Sequence, residues 1–413
     1  MHAMKNATNK VVFFSVVAAA ILVATAVQTT LLVLKGYVAI CWFTPLLYYI
    51  SLFIVIAIVI LMLTRNKQVR SQKLILIAGS IVFTCIVIEY VFRITHLFTS
   101  YSERRIGIYE SIYNASYGDF WLTGHTGNYT LSTPEYTYSR VANSMGYGDN
   151  EWPLPGNDSC FRIMALGDSF TEGDGTHADS TWLKFFERKC NNRNTLFMNA
   201  GLCGSDPVYA YKTLTDKLID YRPHMLILCV NNSDIFDAIV RGGFERFEND
   251  GVKWKSPPRW EPLYAVFHLV RPIIHVFFSK GMVPRHRKAK IEKQAVGVLI
   301  EAISKFQSFC SSHNTLFVCV VHPMREELWA KNYMHETIVN YCSSHQIVCI
   351  DLFQWFEQNL SEEEFLRCFW IYDGHHNAFG YSNMANGIWQ QLYDKQLIDS
   401  NCNYPNAAIE YAE

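Results

Sequence analysis

The first 92 residues hold three long apolar stretches, and any fold of this chain has to accommodate them. Residues 11–34 and 38–63 carry no charged side chain, and 74–92 carry only Glu89. A helix needs about 20 apolar residues to cross a bilayer, so three membrane-spanning helices are expected. A buried helical hairpin would have to cover three successive segments with a single charged residue, Glu89, among them. The first stretch is too long, and too soon followed by another, to read as a cleaved leader. Charged residues make up only 18% of the 413, against roughly 25% in an ordinary soluble protein, and the deficit lies here. Arg65, Lys67, Arg70 and Lys73 separate the second and third stretches, and Lys5 and Lys10 precede the first. Basic loops stay on the cytoplasmic side. The N-terminus is therefore expected inside and everything after residue 92 outside, with Arg93, Arg104 and Arg105 counting against this. Glu89 is expected to reach the interface or pair with Arg93, with a membrane pathway as the lesser reading.

The remainder has a different rhythm. Residues 93–155, rich in Tyr, Ser, Thr, Asn and Gly, are expected to be a juxtamembrane segment with a few short strands, and after it strand-length apolar runs recur at 161–166, 196–200, 225–230, 315–321 and 347–352. Helical periods fall at about 179–192, 207–220, 289–313, 325–345 and 380–393. Continuous apolar strands separated by helices predict a doubly wound parallel sheet, flavodoxin-like, covered on both faces. The expected organisation is a membrane region at 1–92, a juxtamembrane linker at 93–140, an α/β domain at 141–400 and a tail at 401–413. Residues 240–288 interrupt the alternation as an insertion, either capping a site or acting as a packing or membrane-docking element. Arg285, His286, Arg287 and Lys288 read as the solvated start of the next helix. A net charge of −1 gives no reason to expect nucleic acid. Of the 12 cysteines, Cys41 and Cys85 fall in membrane segments, and Cys229, Cys319 and Cys349 fall in buried strands. Pairs among Cys160, Cys190, Cys310, Cys342, Cys368 and Cys402 are open if the domain lies outside the cytoplasm.

Ligands bind at the carboxyl ends of such strands, and the first strand ends in Gly167-Asp168-Ser169. A serine there needs a base to act as a nucleophile. Asp373 and His375, two apart in a loop before the last helix, provide one, the carboxylate holding one ring nitrogen while the other faces Ser169. The His375-His376 pair has no further ligands at metal spacing. No nucleotide-binding glycine motif or haem site is present, so no cofactor is implied.

Four segments in order carry a resemblance. GDSFTEGDG at 167–175, NAGLCGSDP at 199–207, LCVNNSDIFD at 228–237 and DGHHNAFG at 373–380 resemble the four blocks of the SGNH (GDSL-type) hydrolase superfamily. NSMGYGDNEWPL at 143–154 is similar to the lead-in of bacterial envelope members. The resemblance covers roughly residues 140–395. It implies Ser169 as nucleophile, His375 as base with His376 as runner-up, and Asp373 as the orienting acid. It also implies an oxyanion hole from the Ser169 and Gly204 N–H groups and an asparagine of the third block. That block lacks the usual glycine and offers two asparagines, Asn232 being preferred and Asn231 the alternative and a substrate contact. Asp168 is expected to tie its own loop. Helix capping is the better reading for Asp206 and Asp234, and the surface for His177. Arg241 is a candidate substrate contact.

The implied activity is that of a serine esterase or O-acyltransferase on O-acyl, chiefly O-acetyl, esters of envelope glycan. A lipid esterase and a non-catalytic glycan-binding or assembly module are the alternatives. The expected partners are an acylated carbohydrate or lipid ester, the membrane, and a membrane acyl-donor protein.

Overall fold

The computed structural model describes residues 43–64, 68–98, 127–156, 160–190, 194–247, 260–279, 283–400 and 402. It divides into two compact units, Met1–Ser111 with Ser256–Ala289 and Ile112–Lys255 with Lys290–Glu413.

In the first unit, helix α1 (Phe43–Leu63) and helix α2 (Gln68–Thr95) correspond to the second and third expected spans. Residues 72–95 are long and apolar enough to cross a membrane, while α1 holds a shorter apolar run at Pro45–Leu61. One described helix thus meets the requirement, not three; the stretch 11–34 lies outside the described residues. Glu89 is fully buried in α2, and a buried carboxylate needs partners. Arg93 Nε donates to it at 3.2 Å, and the backbone N–H groups of His268 and Leu269 donate at 3.0 and 2.8 Å. Arg93 Nη2 donates in turn to Val266 O, and the ring of Phe267 meets Tyr48 and Tyr49 edge-on. The second half of the 240–288 insertion is therefore bound to the apolar helices through the Glu89–Arg93 pair. The first half stays with the other unit, where Arg246 is buried against Asp206 at 2.8 Å.

The second unit opens with an antiparallel hairpin, β1 (Asn128–Ser132) and β2 (Thr137–Val141). A five-stranded parallel sheet follows. Its strands are β3 (Phe161–Gly167), β4 (Thr195–Gly201), β5 (Met225–Val230), β6 (Leu316–Val321) and β7 (Val348–Asp351), in spatial order β4-β3-β5-β6-β7. This is the flavodoxin-like order, with its topological switch between β3 and β5. All five strands fall where the apolar runs placed them. The helices are α3 (Ser169–Glu172), α4 (Trp182–Cys190), α5 (Pro207–Thr213), α6 (Ser233–Arg241), α7 (Lys288–Ser312), α8 (Tyr333–Ser344), α9 (Leu352–Asn359), α10 (Glu362–Arg367) and α11 (Ala378–Asp394).

Successive strand residues point to opposite faces. Ile163, Ala165, Ile227, Val318, Val320 and Ile350 meet Trp182 and Phe186 of α4, Phe356 of α9 and Met384 and Ile388 of α11 in one core. On the other face Phe317 stacks on Phe306 of α7 at 5.7 Å. The disulfide Cys190–Cys402 ties the end of α4 to the chain beyond α11. Cys402 is buried, so the ordered unit reaches past the expected boundary at 400. Cys310, Cys342 and Cys368 are free and buried.

Short strands were expected in the linker segment, and β1 and β2 lie there, but they belong to the α/β unit and not to a separate linker. The short helices α9 and α10, between the last strand and the final loop, were not read from the sequence.

Candidate active site

Strand β3 delivers Ser169 to the carboxyl edge of the sheet, at the switch between β3 and β5. Asp168 caps the one-turn helix α3 by accepting from Phe170 N at 3.0 Å. Its other oxygen accepts from Asn231 Nδ2 at 2.9 Å and Ser233 Oγ at 3.2 Å, so the nucleophile turn is tied to the end of β5. Asp168 therefore ties its own loop, to side chains as well as backbone. The turn also lies close against β4. A Cβ on Gly201 would lie far inside van der Waals contact with Glu172 N, so only glycine permits that approach.

Across from this turn, Ser169 Oγ lies 2.7 Å from His375 Nε2, and His375 Nδ1 lies 2.5 Å from Asp373 Oδ1. A carboxylate only accepts, so Nδ1 carries the proton and Nε2 is free to take one from the serine. Ser169 is 8% exposed, while the His375 and Asp373 side chains are 22% and 24% exposed. Burial disfavours the imidazolium, but the Asp373 hydrogen bond and the charges of Asp174 and Asp373 outweigh it, and the pKa of His375 is raised. The hydrogen bond to His375 holds Asp373 below the ordinary carboxylate range.

His376, the runner-up, is elsewhere. It is fully buried, with Nδ1 on Cys368 O at 3.2 Å and its ring 4.3 Å from Phe369. Burial, then the proximity of His322, push its pKa well down.

Asn231 is also fully buried. One amide proton goes to Asp168. The other goes to His322 Nε2 at 3.2 Å, since His322 Nδ1 faces a carbonyl, Pro323 O. Neither proton is left for a substrate. Asn232 begins α6, is half-buried, and its side chain makes no capping bond. Gly204 sits in the loop after β4 with φ +77°. Arg241 holds that loop by donating to Gly204 O and pairing with Asp206 and Asp237, each at 3.2 Å. The expectation that Arg241 meets substrate is thus corrected: its guanidinium is turned inward, and it shapes the loop that presents Gly204. Asp206 caps α5 through Val208 N and Tyr209 N, and Asp234 accepts from Asn231 N at 2.9 Å. His177 is exposed.

The sequence reading missed a whole layer of support from the β1–β2 hairpin. In its turn, Glu135 accepts from three successive backbone N–H groups of the acid–base loop. These are Ile371, Tyr372 and Asp373, at 2.8, 2.8 and 2.7 Å. The Tyr136 hydroxyl faces the Asp373 carboxylate. Tyr138 donates to Asp174 Oδ1 at 2.7 Å, and burial followed by the charge of Glu172 raises the Asp174 pKa. Arg140 donates to the carbonyls of Glu172, Gly173 and Thr176 just after the nucleophile. The available signal was the spacing of Tyr136, Tyr138 and Arg140, which places three large polar-tipped side chains on one face of a strand.

Solved structures similar to this chain include a member of the lipolytic G-D-S-L family from Veillonella parvula (14% identical, 56% of this chain and 97% of that chain, TM-score 0.35). A lipase from a goat rumen metagenome matches at 14% identity, 56% and 98% coverage and TM-score 0.36. An acetyl xylan esterase matches at 13%, 56% and 98%, with TM-score 0.34. No family model and no curated protein matches the chain. Among the described residues, no group of three or more His, Cys, Asp or Glu side chains is placed to hold a metal ion.

Proposed function

We propose that this chain is a serine ester hydrolase of the SGNH kind, acting through an acyl-serine. The observation that carries the reading is the continuous bonding from Ser169 Oγ to His375 to Asp373, on elements 206 residues apart in sequence. Ser169 Oγ attacks the ester carbonyl and His375 Nε2 takes its proton. The imidazolium is stabilised by Asp373. The oxyanion is met by backbone N–H groups of Ser169 and Gly204 and by the Asn232 amide, each donor lowering the barrier by about 3 kcal/mol. The bond to the leaving alcohol breaks as His375 returns the proton. Water then enters, His375 accepts its proton, and the acid is released with Ser169 restored.

The substrate proposed is an O-acyl, chiefly O-acetyl, ester of envelope glycan. Transfer to a sugar hydroxyl in place of water is the same chemistry with another acceptor. The catalytic unit is proposed to lie outside the cytoplasmic membrane. The basic residues at 65–73 support that side, and so does the Cys190–Cys402 disulfide, since such bonds persist in oxidising compartments.

The test is the full-length protein in detergent, wild type and Ser169→Ala, assayed for acetate release from p-nitrophenyl acetate and from an acetylated oligosaccharide. A fluorophosphonate probe is applied in parallel. Serine-dependent release supports the esterase. Labelling at Ser169 without release points to a transferase lacking its acceptor. The absence of both labelling and release overturns the triad and favours a glycan-binding module, the reading that the full engagement of Asn231 would then support.

A further inference from the structure

A second concave surface lies on the face of α9 and α11. It is a groove of about 600 Å³ lined by Gln354, Trp355, Gln358, Asn386, Trp389 and Lys189. Its chemistry differs from that of the triad. Trp355 lies on α11 at Gly387, where a Cβ would come within 2.9 Å of the indole. Glycine inside a helix costs about 1 kcal/mol relative to alanine, and here it lets the ring rest on the helix backbone. Trp389 is fixed in turn by stacking with Tyr393 at 5.2 Å and by Lys189 Nζ, 4.9 Å from its ring centroid.

In the same lining, the side-chain amides of Gln354, Gln358 and Asn386 have no protein bonding partner among the described residues. Gln354 and Gln358 are one turn apart and exposed. The acids nearby are already engaged: Asp394 accepts from Gln390, and Asp351 faces His335 Nε2 and accepts from Gln354 N. The groove therefore offers fixed indole surface and amides that both donate and accept, with Asp351, Asp394 and Lys189 each already in contact with a protein group. That combination suits a ligand with apolar C–H faces rimmed by neutral hydroxyls.

We propose that this groove is a second binding site, separate from the triad, for a neutral polysaccharide chain. A sugar ring lies on Trp355 while Gln354, Gln358 and Asn386 bond its hydroxyls. Helix α11 starts at Ala378, just past the loop that carries His375, and Trp389 lies about 17 Å farther along its axis at 1.5 Å per residue. A chain held here would be retained on the enzyme at a distance from the reacting ester. The inference rests on the glycan reading of the substrate only in its choice of ligand.

The experiment is calorimetric titration of the full-length protein in detergent with cellohexaose and mannohexaose, in a Ser169→Ala background so that no turnover intervenes. Trp355→Ala and the exposed pair Gln354→Ala/Gln358→Ala are each added to that background. The expected result is binding of at least one hexaose, weakened at least ten-fold by either change. The same changes in the wild-type chain should leave p-nitrophenyl acetate hydrolysis unaltered. Absence of binding by both hexaoses, or equal affinity in both variants, overturns the site. Binding is read without catalysis. A protein with no serine-dependent activity but Trp355-dependent sugar binding would therefore sink the esterase reading and leave this one standing, and the reverse pattern would do the opposite.

Discussion

The two loops that meet at Ser169 are held in opposite ways. The nucleophile turn sits in a buried lattice: Asp168, Asn231, Ser233 and His322 bond one another, and Arg140 fastens the carbonyls beyond it. The acid–base loop is partly exposed; beyond backbone bonds such as Gly374 N to Trp370 O and the bond from Trp370 Nε1 to Gly175 O, its N–H groups at 371–373 are gathered by one carboxylate, Glu135, more than 230 residues away in sequence. Damage to the first loop should therefore cost stability and activity together. Damage to the second should cost activity alone. This follows from burial, because an unmatched donor in the interior loses its partner outright while one at the surface recovers water.

The sharpest test of the contrast is Asp373→Asn. The amide cannot stabilise the imidazolium and favours the wrong tautomer, so kcat/KM should fall by on the order of 10³–10⁴. The carboxylate is partly exposed, so the melting temperature should barely move. Next in size is Asp168→Ala, which strands Phe170 N and one Asn231 proton in the interior. A loss of about 3 kcal/mol is expected, at roughly 1–3 kcal/mol per unmatched buried group, together with lost activity. Urea denaturation alongside the ester assay measures both. Equal stability losses in the two variants would erase the distinction.

The same asymmetry decided what the sequence could reveal. The strands were legible because runs such as Met225–Val230 are wholly apolar, which only burial on both faces explains. Ser169, Asp373 and His375 were legible because each lies in a short motif whose neighbours carry the information. Glu135 was not, since its partners are backbone N–H groups and leave no mark on the side chains of 371–373. Arg241 misled for a related reason. An arginine at a helix end near the sheet's carboxyl edge suits substrate as well as it suits Asp206, and only the three-dimensional lattice separates the two. Asn231 and Asn232 are adjacent and chemically identical, and burial tells them apart. The insertion was ambiguous because its apolar residues say that it docks but not where; Glu89 and Arg93 supply the address.

A smaller effect is expected at the hairpin. Glu135→Ala removes the acceptor for three N–H groups at the surface, where water replaces it, so stability should change by less than about 1 kcal/mol. The loop that carries Asp373 loses its anchor, and kcat should fall about 10- to 100-fold with KM little changed, as for a loss of geometry at the reacting centre. Glu135→Gln keeps one acceptor oxygen and should recover part of the rate. A rate unchanged in both variants would mean that the loop holds itself in place.

The gentlest probe is the pH profile. His375 must be neutral to take the serine proton, and its pKa is raised by the Asp373 hydrogen bond and by the charge of Asp174, against the pull of burial. A raised pKa keeps the ring protonated to higher pH, so the rising limb of kcat/KM should lie above the ordinary imidazole value of about 6.5. Replacing Asp174 with Asn removes one of the three charges that raise it, those of Asp373 and Asp168 remaining, and leaves the Asp373 bond in place. The limb should then move down in pH while the plateau rate changes only a few-fold. A limb that stays fixed would mean that Asp174, whose own pKa is raised by burial and by Glu172, is protonated in the working enzyme. The support for the imidazolium would then come from Asp373 in its own loop and from Asp168 in the turn that carries Ser169, one charge from each of the two loops.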